Sequence, residues 1–194
     1  MRYKDELIRA MDYLTQDPRT IFLGQAVAYP GTGMSETLAS VPKGRLVELP
    51  VMEETQLGMC AGIALAGFVP VSVFPRYNFL LLAASQLVNH LDKFREMGCP
   101  AKVIVRTSIG STSPLHPGPQ HTGDFTAALR HMLRDVEVVR LDDAAKIFDT
   151  YRRAYDRKDS RPTVVVEWAD AYDPAWWGLS PENPDQSRRE ACSS

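Results

Sequence analysis

The sequence predicts an α/β fold: a doubly wound, mainly parallel sheet of about six strands with helices on both faces. Three observations carry that expectation. Apolar runs rich in β-branched residues recur along the chain. Most of them are near-continuously apolar, as strands covered on both sides should be, rather than alternating. Helical patterns separate them, and strand–helix alternation with right-handed crossovers sets neighbouring strands parallel.

Taken in order, the charged and amphipathic segment 3–15 predicts a first helix, followed by the strand TIFLGQAVA (20–28). The turn-rich YPGTGM (29–34) leads into a short helix over 34–41 and the strand RLVELPV (45–51). A helix over 54–66 follows, its first turn carrying acids where the helix dipole favours negative charge. Next come the strand VPVSVFP (69–75) and a helix over 78–97, apolar around the small residues Ala83, Ala84 and Ser85. The strand AKVIVRTS (101–108) opens into IGSTSPLHPGPQH (109–121), a long loop for an α/β connection. Helices over 123–134 and 142–158 then flank the strand VEVVRL (136–141), and TVVVEWA (163–169) is the last strand. Residues 1–177 read as a single domain and 178–194 as a polar, flexible tail without a core pattern.

Bulk properties narrow the function classes. The 194 residues carry a formal net charge of −2, with acids and bases interspersed, which leaves no footprint for nucleic acid or an anionic membrane. No apolar stretch is long enough to cross a bilayer, and MRYKDELIRAMDYL lacks the apolar run of a signal peptide. Cys60, Cys99 and Cys192 form no CxxC pair, so neither a disulfide framework nor a zinc site is expected and a cytoplasmic location is. The chain holds no P-loop, no GxSxG elbow and no HExxH, and GTG at 31–33 lacks the third glycine of a dinucleotide fingerprint. His116 and His121 flank a flexible PGPQ with no carboxylate or Cys placed to complete a metal site, so no metal is expected on this chain. Ser108, Ser111 and Ser113 near these histidines read as turn residues.

In open parallel sheets ligands sit beyond the carboxyl ends of the strands. That edge should gather Glu53, Tyr77, Phe79 and the 109–121 loop: a carboxylate, aromatics and a His-bearing segment, a composition typical of sites.

The segment running from Pro50 through Glu53, Gly58, Gly62 and Gly67 to Pro70 is more specific. It resembles the pyrimidine-binding domain of thiamine-diphosphate enzymes of the transketolase superfamily. The likeness is greatest to the beta subunit of the decarboxylating component of pyruvate and branched-chain 2-oxoacid dehydrogenases. The resemblance continues in order through FPRYNF (74–79), SQLVN (85–89), the Arg106…Gly110 segment and QHT (120–122), covering about residues 20–168. It implies the pyrimidine-type thiamine-diphosphate-binding fold. It also implies roles: Glu53 hydrogen-bonds the aminopyrimidine ring nitrogen, Phe79 stacks on that ring, and Val51 and Tyr77 flank it. His121 faces the reaction centre, with His116 its competitor in this longer loop, and Arg76 and Arg106 are candidates on the substrate side. Glu54 reads as a solvent-side acid of the first helical turn.

Departures from the family pattern set further expectations. Gly123-Asp124-Phe125 lacks the second glycine of the Gly-Asp-Gly…Asn signature that holds magnesium and the diphosphate. A second subunit carrying that domain is therefore expected, in an α2β2 assembly, with thiamine diphosphate and Mg2+ shared between them. The beta subunit's C-terminal domain has no counterpart in these residues. Gln25 and Ala26 replace an acidic pair after the first strand's glycine, and Ser85 replaces an Asp. The function so implied is cleavage of a 2-oxoacid and transfer of the acyl fragment. Sugar ketol transfer and a non-catalytic scaffold are the alternatives.

Overall fold

The computed structural model describes residues 2–29, 32–110 and 117–172; the expected tail at 178–194, Cys192 and His116 lie outside them. Its frame is one parallel sheet of six strands: β1 (Thr20–Gly24), β2 (Leu46–Glu48), β3 (Val69–Phe74), β4 (Ile104–Ile109), β5 (Glu137–Arg140) and β6 (Thr163–Trp168). The order across the sheet is β2-β1-β3-β4-β6-β5, every neighbouring pair parallel. Every residue of β3 and β4 is buried, which is why their sequences are apolar without alternation.

Helices cover both faces. α1 (Tyr3–Thr15), α2 (Gly33–Glu36) and α6 (Ile147–Asp156) lie on one, where Leu7, Met11, Leu14 and Ile147 meet Phe22, Val71, Val73 and Val165. α3 (Glu53–Leu65), α4 (Tyr77–Leu80) and α5 (Thr126–Met132) lie on the other, where Leu57, Cys60, Leu80 and Leu129 meet Leu23, Phe74, Val105 and Val166. Alternate residues of the inner strands serve the two cores. A fully buried aliphatic side chain contributes about 1.5–3 kcal/mol, so the central strands form the rigid part of the molecule.

Three expectations change in detail. The helix expected over 34–41 is a single turn ending at Glu36. The first strand stops at Gly24 instead of reaching residue 28, because the amides of Ala26, Val27 and Ala28 turn away to the Glu48 carboxylate of β2. The helix expected over 78–97 is broken into α4, a 3-10 turn (Leu81–Ala83) and a π-helical segment (Gln86–Leu91). Asp92, whose N–H reaches back five residues to Leu87 O, closes that segment and accepts the amides of Arg134, Asp135 and Val136 at 2.7–3.0 Å. The wider turn keeps Leu87 and Leu91 buried while aiming Asp92 at the loop before β5.

α3 begins at Glu53 and ends where Gly67, at φ +91°, follows Ala66. The Phe68 and Gly67 amides return to Ile63 O and Ala64 O, a Schellman cap that turns the chain directly into β3.

Candidate functional site

β1 feeds β2 on one side and β3 on the other, so the topological switch point lies at the carboxyl ends of β1 and β3. Glu53 stands there. It is only 5% exposed although it opens its helix, whereas Glu54 beside it is exposed. The Gln25 side-chain amide donates to Glu53 Oε1 at 3.3 Å. One turn along α3, the fully buried Gln56 donates through Nε2 to Ser72 Oγ (2.9 Å) and Val73 O (3.0 Å), clamping the helix start onto β3. A Cβ on Gly24 would fall 2.2 Å from Val73 O, so only glycine lets β1 end this close to β3.

Glu48 shapes the rest of that corner. Its Oε1 accepts the Ala26 amide and its Oε2 accepts the amides of Val27 (2.9 Å) and Ala28 (2.8 Å). Ala26 takes the left-handed conformation at φ +54°, which turns successive N–H groups toward one anion. Neither Gln25 nor Glu48 was assigned a role from the sequence. The available signal was a carboxylate ending a short edge strand beside a loop rich in free amides.

The remaining candidates divide. Phe79 is half-buried, and the His121 ring meets it edge-on at 5.4 Å between centroids, so these two are brought together. His121 Nδ1 is buried without a hydrogen-bond partner among the described residues, which marks a group available for a ligand or water. Val51 is 77% exposed, open to whatever covers that edge. Arg76 is half-buried and donates to Gly110 O at 2.9 Å, and burial draws its pKa down. His116 lies outside the described residues, as do Ser111 and Ser113; Ser108 donates to Pro75 O.

Two assignments are corrected. Tyr77 is not a ring beside the site: it is fully buried, edge-on to Phe125 at 5.6 Å, and burial pushes its phenol well above the ordinary range. Arg106 is not a substrate-side group. It points to the α1/α6 face, is fully buried and pairs with Glu167 through Nε (2.8 Å) and Nη2 (3.0 Å). Burial opposes the guanidinium charge, but Glu167 outweighs it and holds Arg106 protonated.

Among the described residues no group of three or more His, Cys, Asp and Glu side chains gathers to hold a metal ion. No described helix is long and apolar enough to cross a membrane. Cys60 is buried and its thiol is pushed up to about 12, which makes it inert.

The carboxyl edge of the sheet thus carries a sequestered carboxylate at a helix start, an exposed aliphatic just before it and a half-buried aromatic. Comparison with known proteins places the chain in a family. Residues 7–173 match the family model described as transketolase, pyrimidine binding domain. The chain is 29% identical over 182 residues to the mitochondrial pyruvate dehydrogenase E1 component subunit beta of Caenorhabditis elegans, covering 86% of this chain and 48% of that one. With the human subunit of the same name it shares 28% identity over 173 residues, covering 84% and 46%. The chain thus spans about half the length of these curated relatives. Among solved structures, a split-gene transketolase described as an inactive beta4 tetramer superposes with a TM-score of 0.67 at 17% identity, covering 87% of this chain and 52% of that one, a likeness of fold. The chain belongs to the transketolase pyrimidine-binding domain family.

Proposed function

We propose that this chain is the pyrimidine-binding subunit of a split thiamine-diphosphate-dependent enzyme that cleaves a 2-oxoacid and transfers the acyl fragment. The observation that carries the proposal is the Glu53 carboxylate, buried at the start of α3 at the topological switch point and engaged by Gln25. The identity to pyruvate dehydrogenase beta subunits supports a 2-oxoacid substrate over a sugar.

Thiamine diphosphate, when bound, supplies the carbon nucleophile that attacks a 2-oxo group. The residues present fit it. Glu53 would accept a hydrogen bond from the aminopyrimidine, Phe79 would lie against its ring, and Val51 would cover the ring's edge. His121, held edge-on by Phe79, would hold or move a proton at its ring nitrogens toward the substrate. Magnesium and the diphosphate fall to a second subunit in an α2β2 assembly, located in the cytoplasm. A partner is favoured by the exposed apolar side chains of Val51, Met59, Leu65 and Leu82, which lie on α3 and the segments flanking it.

The test is calorimetric titration of thiamine diphosphate with Mg2+ into the full chain, alone and mixed with a subunit carrying the Gly-Asp-Gly…Asn domain. Heat should appear in the mixture only, and Glu53→Gln should remove at least tenfold of the affinity and about 10²–10⁴-fold of turnover. An intact complex that binds no cofactor, or a Glu53→Gln variant with full turnover, defeats the proposal.

A further inference from the structure

We infer that Gln25 is a positioning residue for Glu53, held in place by Glu48; the role rests on the functional reading above. Three observations converge. The Gln25 carboxamide is the one hydrogen-bond donor given to the Glu53 carboxylate among the described residues, and it engages Oε1 alone. The loop that carries Gln25 has no regular structure of its own. It is fixed by the carboxylate of Glu48, which takes the next three backbone amides and stabilises the left-handed Ala26. Glu48 is itself fixed, because β2 pairs with β1 up to Glu48 opposite Gly24, and the Leu49 amide then donates to Gly24 O at 2.9 Å.

The chemistry of the donor matters. A carboxamide engages one carboxyl oxygen without supplying a counter-charge, so the other Glu53 oxygen is left for a ligand. A carboxylate in place of Gln25 would set two like charges within hydrogen-bond distance, and one of them would have to take up a proton. Other charged groups lie near this edge, among them Asp170 beside Gly110 and Arg76. Glu48 is taken by amides, Glu54 is exposed, and Arg76 donates to Gly110 O.

The experiment has two arms. In the full chain alone, labelled with 13C at glutamate side-chain carboxyls, the Glu53 resonance is identified by its loss in Glu53→Gln. Gln25→Ala should move that resonance, and so should Glu48→Gln, while thermal unfolding shows both variants folded. In the complex with the partner subunit, Gln25→Ala should weaken thiamine diphosphate by about tenfold, and Gln25→Asn should restore part of the loss. Gln25→Glu should make cofactor affinity change with pH over the range in which the paired carboxylates lose their shared proton, a dependence that wild type does not show. An unmoved resonance in Gln25→Ala overturns the inference, as does unchanged affinity in a complex that binds the cofactor. A wild-type complex that binds none defeats the functional reading instead, while the resonance still reports on the Gln25–Glu53 contact.

Discussion

The buried ion pair between β4 and β6 makes a sharp prediction about stability. Glu167 is fully buried and accepts four hydrogen bonds, from Arg106 Nε and Nη2 and from the hydroxyls of Tyr151 and Tyr172. Arg106 is equally buried; it also donates to Thr37 Oγ1 at 3.0 Å and to the Met11 sulfur, and its guanidinium lies over the Tyr151 ring. Glu167→Gln preserves the shape of the side chain but removes its charge and one of its two acceptor oxygens. It leaves a guanidinium without a counter-charge and turns an NH2 group toward donors, a loss of about 3–5 kcal/mol. For a chain of this size that lowers Tm by roughly 6–20 °C, at about 2–4 °C per kcal/mol. Adding Arg106→Met to Glu167→Gln removes the stranded cation, and the glutamine oxygen still accepts from a tyrosine. The double variant should therefore recover at least half of the loss, a favourable coupling between neighbours. Urea unfolding with an unchanged m-value measures both. A cost below about 1 kcal/mol for Glu167→Gln, or a double variant as unstable as the two single changes added, would refute the reasoning.

Two further outcomes follow from the structure. Burial alone would raise the pKa of Asp92, but Lys93 and the amides of Arg134, Asp135 and Val136 outweigh it and hold the carboxyl below its ordinary value. The unfolded chain therefore binds the proton first as pH falls, so this contribution is complete above the ordinary aspartate pKa of about 3.9 and is lost as pH drops through the lower folded value. Asp92→Asn should cost about 1–3 kcal/mol at pH 7 and less at pH 2.5, and an equal cost at both in urea unfolding would exclude the linkage. Gly24→Ala places a methyl 2.2 Å from a backbone oxygen, whereas Gly67→Ala meets no atom within 4 Å and suffers only its positive φ. The first should cost more than about 3 kcal/mol and the second about 1 kcal/mol, and thermal unfolding that ranks them the other way would mean that β1 and β3 can part at their ends.

The strands were legible because a sheet covered on both faces needs long apolar runs, and few other structures do. All six appear within a few residues of their expected bounds. Glu53 was singled out by the resemblance of its segment, since an acid in a first helical turn is ordinary in itself; what the structure adds is its burial beside the exposed Glu54. What could not be read depended on partners distant in the chain. The break in the 78–97 helix is set by Asp92 meeting amides more than forty residues away. Arg106 was a substrate-side candidate through the resemblance of its segment, yet period two along β4 sends it to the opposite face from Val105 and Thr107. The sequence held a clue: an Arg in one continuously apolar strand and a Glu in another are rarely buried unless paired. Tyr77 was misread for a related reason, since a helix start at the carboxyl edge can turn an aromatic either outward or, as here, onto Phe125.

The fate of the two arginines explains how Glu53 stays usable. A guanidinium in reach would form a bidentate pair with the carboxylate, filling both its oxygens and competing with any ligand's ring nitrogen. Arg106 is consumed by Glu167 on the far face, and Arg76 is turned to Gly110 O at the end of β4. Glu53 has no ion-pair partner among the described residues, and the neighbours that fix its helix and its side chain are the neutral amides of Gln56 and Gln25. Neutral donors position a carboxylate without neutralising it. Burial beside them excludes water, so a hydrogen bond offered by an incoming aminopyrimidine would act at low local dielectric, where it is strongest. The charged pair on one face of the sheet and the uncharged clamp on the other are thus complementary. The first ties β4 to β6, and the second leaves the Glu53 carboxyl at the switch point without an ion-pair partner among the described residues.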